Sequence, residues 1–104
     1  MKIKTINFAK EFTDCPGGRL RIYGEFSGEE FRENFLRPAL AEFDKVVIDL
    51  NGVVGLPASF LDEAFGVLAG EMGLQKIHEK MEFQLADNPI ALTELHEVMK
   101  AHTA

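Results

Sequence analysis

Apolar and polar residues alternate at two places near the start of the chain. Ile6 and Phe8 stand between polar neighbours, as do Leu20 and Ile22 in RLRIYG, and a period of two predicts strands. The CPGG between them is turn chemistry, so the two strands are expected to pair as a hairpin. The period then changes. Phe31, Phe35, Leu36, Leu40 and Phe43 recur at spacings of three and four, which predicts an amphipathic helix. FSGEEF supplies its start: Ser27 as the cap, Glu30 three residues on to close a capping box, and Phe26 with Phe31 as a hydrophobic staple. Pro38 lies inside this helix and predicts a kink or break near Arg37.

VVIDL, Val46 to Leu50, is short, β-branched and apolar apart from Asp49, as suits a central strand covered on both faces. Asn51 and Gly52 end it. A second helix follows in PASFLDEAFG and beyond, with Phe60, Leu61, Ala64, Phe65, Leu68, Ala69 and Met72 at helical spacing, Ser59 as its cap, Asp62 in the box position, and Gly73 as its stop. Met81, Phe83 and Leu85 alternate as a strand. Asn88 caps a last helix that opens with Pro89 and turns Ile90, Leu95, Val98 and Met99 inward. The expected fold is a single α/β domain over residues 1–104, with a mixed four-stranded sheet, about three helices and the order β-β-α-β-α-β-α.

Composition narrows the function classes. The 104 residues suffice for one core and leave no room for a second domain. The formal net charge is −6 and the eleven Lys and Arg are scattered, so no basic stripe exists for nucleic acid. Between Val46 and Gln75 there is no Lys or Arg, while Asp49, Asp62, Glu63 and Glu71 all lie there. The single Cys15 permits no intramolecular disulfide and no thiolate metal cluster, which suits a reducing compartment. The longest uncharged run, Leu50 to Leu61, contains Gly52, Gly55 and Pro57 and is too short to span a bilayer. The start MKIKTINFAKEF lacks the apolar core of a signal peptide. A cytoplasmic protein is expected.

The chemistry of single residues points away from catalysis. Ser59 would need a base within hydrogen-bond reach, yet His78, His96 and His102 all lie in the C-terminal third and no G-x-S-x-G elbow surrounds it. Asp62 and Glu63 are adjacent on a helix and point about 100° apart, so they do not converge as a hydrolytic pair must. The histidines show no i, i+4 metal spacing, and His102 sits near an end expected to fray. Phosphorylation of Ser59 would meet repulsion from Asp62 and Glu63 with no Arg or Lys nearby in sequence. Asp49 either accepts backbone hydrogen bonds at the end of its strand or, with Asn51, lines a ligand site. Gly66 and Gly70 allow a neighbouring element to approach closely. No catalytic residue, metal or cofactor is expected.

PGGRLRIYGEFSGEEFRENFLRPAL followed by VVIDLNGVVGLPASFLDEAFGVL resembles the bacterial STAS-like domain family of unknown function, relatives of the anti-sigma-factor antagonist domain. The resemblance runs from about Pro16 to Gly73 and is most specific in FSGEEFR and SFLDEAFG. STAS domains proper carry Asp-Ser-Ser-Gly at this helix start, with the first serine phosphorylated by a partner kinase. On that loop the chain has Pro57, Ala58, Ser59 and Phe60, so the usual phospho-acceptor is replaced by Ala58. The resemblance implies a small α/β protein that acts by binding a protein, for instance a histidine-kinase-like ATPase.

Two functions follow as expectations. The first is a non-catalytic regulatory interaction domain that binds through Leu56, Pro57, Ala58, Ser59, Phe60, Asp62 and Glu63, an acidic and apolar surface for a partner presenting Arg or Lys. The alternative is a small-ligand or nucleotide sensor with its pocket near Asp49 and Asn51, at the carboxyl end of the central strand. A homodimer through the glycine-bearing helix is compatible with both.

Overall fold

In the computed structural model, which describes residues 1–103, three short strands form one parallel sheet. They are β1 (Ile3–Asn7), β2 (Lys45–Asp49) and β3 (Met81–Gln84), in the order β1-β2-β3. Five helices accompany them among the described residues: α1 (Phe8–Glu11), α2 (residues 28–42), α3 (residues 58–72), α4 (Leu74–Lys80) and α5 (Pro89–Ala101). The expected mixed, four-stranded sheet with three helices is therefore corrected to three parallel strands and five helices.

The missing strand is the RLRIYG segment. Arg21–Tyr23 forms a single 3₁₀ turn, and Ile22 and Tyr23 are about four-fifths exposed. Alternation alone could not make a strand where no neighbour buries its apolar side. Instead the PGGR loop folds onto the start of α2. The Gly28 and Glu29 amides donate to the carbonyls of Gly18 and Arg19 at 2.9 and 3.1 Å, and Gly17 N–H donates to Phe26 O at 2.8 Å.

The predicted capping box forms. Glu30 N–H donates to Ser27 Oγ at 3.1 Å, and Phe26 N–H donates to Glu30 Oε1 at 3.2 Å. Three of the first amides of α2 thus find acceptors, as a helix start requires. Ser27→Ala is expected to cost about 1 kcal/mol, read as a lower urea midpoint at an unchanged m-value.

Pro38 does not break α2. A π-helical turn, Arg32–Leu36, precedes it, closed by Arg37 N–H donating to Arg32 O, and the α-helix resumes over Arg37–Glu42. Widening the turn relieves the clash a proline ring makes with the carbonyl four residues back. A second π turn, Asp62–Gly66, interrupts α3.

Ile6, Ile48 and Phe83 stand side by side in register on one face of the sheet, with Val46 and Met81 beside them. Both crossovers step in the same direction across the sheet, so crossovers of one hand place α2 and α3 on this same face. Phe31, Leu36, Phe60, Leu61, Phe65 and Leu68 close the core over it, all 2% exposed or less. Gly28 sits where the two helices meet: a Cβ there would stand 2.8 Å from the Phe60 carbonyl oxygen and 3.0 Å from Ala64 N. Only glycine permits that approach.

The other face is largely open, contrary to the expectation of a strand covered twice. Ile3, Thr5, Glu82 and Gln84 are exposed there. Val47 is buried because Thr5 and Glu82 flank it in register, and because Lys45 and Glu82 pair at 3.4 Å on the same face.

At the far end, Gly73 with φ of 86° stops α3 and starts α4, an element with too few apolar positions to show a helical period. Asn88 caps α5 as expected, accepting from Ala91 N–H at 3.1 Å. Leu95 and Met99 turn inward with Ala91, whereas Ile90 is 73% exposed.

Candidate functional site

The loop from β2 into α3 is held at both ends. Asp49 Oδ1 accepts from the backbone N–H and the side-chain amide of Asn51, each at 3.0 Å. Asn51 Oδ1 accepts from Ala86 N–H at 2.9 Å, tying the carboxyl end of β2 to the loop after β3. Further on, Val54 N–H donates to Asp14 O at 2.7 Å, which joins this loop to the segment ahead of PGGR. Although its backbone is anchored, Val54 is 79% exposed, and Gly55, Pro57 and Ala58 after it are exposed as well.

Helix α3 starts two residues earlier than Ser59 as cap would place it. Pro57, with ψ of 141°, is the last extended residue; Leu61 N–H donates to its carbonyl at 3.1 Å, and no side chain caps this end. Ser59 is the second helical residue and half-buried. Its capping role is therefore corrected, and with it the box role of Asp62. Phe60 and Leu61 point into the core; Phe60 meets Phe8 edge-on at 5.6 Å. Leu56 is partly buried against the same core.

Asp62 and Glu63 are not free charges. Asp62 bonds Arg19 through one oxygen and His102 Nε2 through the other, the latter at 2.6 Å. Glu63 takes Arg32 at 2.6 Å, the two side chains being 13% and 10% exposed, and Arg32 also donates to the Glu63 carbonyl. The ladder continues along the seam between α2 and α3. Arg32 and Arg37 both reach Glu33, at 2.8 and 2.6 Å, and Arg37 forks onto Glu71 at 2.9 and 3.0 Å.

Burial works against the Asp62 charge, but the Arg19 and His102 hydrogen bonds together hold its carboxyl below the ordinary value. Arg37 and Arg32 likewise hold Glu33 low, and Arg37 holds Glu71 low. Asp62, Glu63 and Glu71 of the acidic central third are thus paired by Arg19, Arg32 and Arg37, all from outside it. Their approach across the helix seam is a tertiary fact that no local spacing announces.

Gly66 and Gly70 receive the end of α5. A Cβ on Gly66 would stand 2.5 Å from His102 Cδ2, and Gly70 faces the His102 backbone. The terminus expected to fray is held here by the His102 bond to Asp62. His78 and His96 lie 6.0 Å apart, ring to ring, and Cys15 is exposed. Among the described residues no group of three or more His, Cys, Asp or Glu could hold a metal ion, and no helix is long and apolar enough to cross a membrane.

Residues 27–91 match the family described as STAS-like domain of unknown function (DUF4325). The chain belongs to this family. The match opens on the capping Ser27, takes in α2, β2, α3, α4 and β3, and ends at Ala91 in the first turn of α5. No curated protein and no solved structure matches the chain. In this STAS-like domain Ala58 lies in the first turn of α3, exposed beside Val54 and Pro57.

Proposed function

We propose that this STAS-like domain is a non-catalytic regulatory module that binds a protein partner at the head of α3. The observation that carries the reading is the exposed apolar patch of Val54, Pro57 and Ala58, on a loop pinned through Asp14 and leading into the helix. Asp62 and Glu63 lie behind this patch and are engaged by Arg19, Arg32 and His102. The partner therefore meets apolar surface rather than a pair of free carboxylates. A histidine-kinase-like ATPase is the partner class that kinship with STAS domains favours.

Val54→Asp places a charge in the patch without touching the core. In affinity capture from the native host with ATP present, wild type is expected to retain an ATPase of that class and Val54→Asp to lose it, at equal melting temperature. Capture of the same ATPase by both baits would move the binding surface elsewhere. If neither bait retains one, the partner class is wrong.

A further inference from the structure

Ile77 on α4 and Leu95 on α5 are fully buried, and the residue after each is a histidine. The core therefore fixes the backbone that carries His78 and His96, while both of these side chains are exposed. Their rings lie 6.0 Å apart, centroid to centroid, at an interplanar angle of 36°. Phe83 of β3 stands perpendicular to the His96 ring with centroids 6.2 Å apart, which limits where that ring can turn. Because β3 and the turn into α5 separate the two histidines in sequence, no i, i+4 spacing marks the pair. Among the described residues His102 alone of the three histidines has a side-chain hydrogen-bond or ion-pair partner, which is Asp62.

Two neutral imidazoles side by side are a pair of nitrogen donors, the ligand type that suits Zn²⁺, Ni²⁺ and Cu²⁺, whereas Mg²⁺ and Ca²⁺ take oxygen. On one tetrahedral ion, metal–nitrogen bonds of about 2.0 Å set two ring centroids about 5 Å apart. The observed separation exceeds this by about 1 Å, a difference that rotation of two exposed side chains supplies. No third His, Cys, Asp or Glu joins the pair among the described residues. Water or a group of another molecule then completes the coordination, as at an open site rather than a closed structural one.

We propose that His78 and His96 together bind one late first-row divalent cation, which bridges α4 and α5 across β3. The ion acts as a staple between two elements that the core already holds in place, so little ordering opposes its binding. The pair includes no residue from the head of α3 and does not depend on the function proposed for it.

Calorimetric titration of the full chain with NiCl₂ tests this, in buffer with excess MgCl₂ to occupy surface carboxylates. Wild type is expected to bind one Ni²⁺ per chain and to melt at a higher temperature with the ion bound, since a ligand held only by the native state stabilises it. Cu²⁺ should bind more tightly than Ni²⁺. His78→Gln and His96→Gln should each weaken Ni²⁺ binding by about tenfold or more, the scale on which even the groups behind a metal ligand matter, and should remove the shift in melting temperature. Both side chains are exposed, so in EDTA the variants should keep the circular dichroism and melting temperature of wild type. Absence of saturable binding at millimolar Ni²⁺ would overturn the proposal. So would binding that either substitution leaves unchanged.

Discussion

Phe60→Ala is expected to destabilise the protein by about 3 to 5 kcal/mol. Phe60 is fully buried, with ring centroids 5.6, 6.2 and 6.3 Å from Phe8, Phe12 and Phe31. Its removal takes away the transfer energy of the ring and leaves a cavity where α3, α2 and the end of β1 meet. Because a domain of this size is stable by only about 5 to 15 kcal/mol, the urea midpoint should fall by a large fraction of its value. An unchanged midpoint would mean that the ring lies at the surface. The burial of Phe60 makes the start of α3 part of the core.

Arg32→Met should cost about 3 kcal/mol, the scale for stripping one member from a buried ion pair. It leaves Glu63 with only the 3.7 Å approach of Arg19, and leaves the Glu63 carbonyl without its side-chain donor. Arg32→Met combined with Glu63→Gln should recover part of the loss, because no uncompensated charge then remains in the seam. Denaturant unfolding of the four proteins measures the coupling. A coupling energy below about 0.5 kcal/mol, the scatter expected of independent sites, would show that the pair contributes nothing as a pair.

Local signals predicted the local structure well. The capping box at Ser27 and Glu30, the apolar faces of α2 and α3, and the Asn88 and Pro89 start of α5 all depend on residues within a few positions of one another. RLRIYG misled because alternation records what a strand would need, not whether a neighbouring strand is available. Ser59 misled because serine is so common a cap, whereas the helix opens at the extended Pro57 two places ahead, where no side chain caps it. In α4 the signal is weak: Ile77 is its one fully buried residue, too little to mark a period.

At the candidate site, Pro57 and Ala58 are exposed as expected, whereas Phe60, expected on the binding surface, is withdrawn from it into the core by its place on the apolar face of α3. The neutralisation of Asp62 and Glu63 could not be anticipated from the chain. It depends on Arg19 and Arg32, which reach those carboxylates only after α2 has docked on α3. The surface expected to attract a basic partner is thereby already occupied from within.

The separations across this ladder are long: 31 residues between Arg32 and Glu63, 34 between Arg37 and Glu71, 40 between Asp62 and His102, and 43 between Arg19 and Asp62. None of these contacts can close before the helices, the PGGR loop and the end of α5 have converged. Contacts absent from the folding transition state slow unfolding while leaving the folding rate nearly unchanged, so arginines that close last would lengthen the life of the native state without hastening its formation.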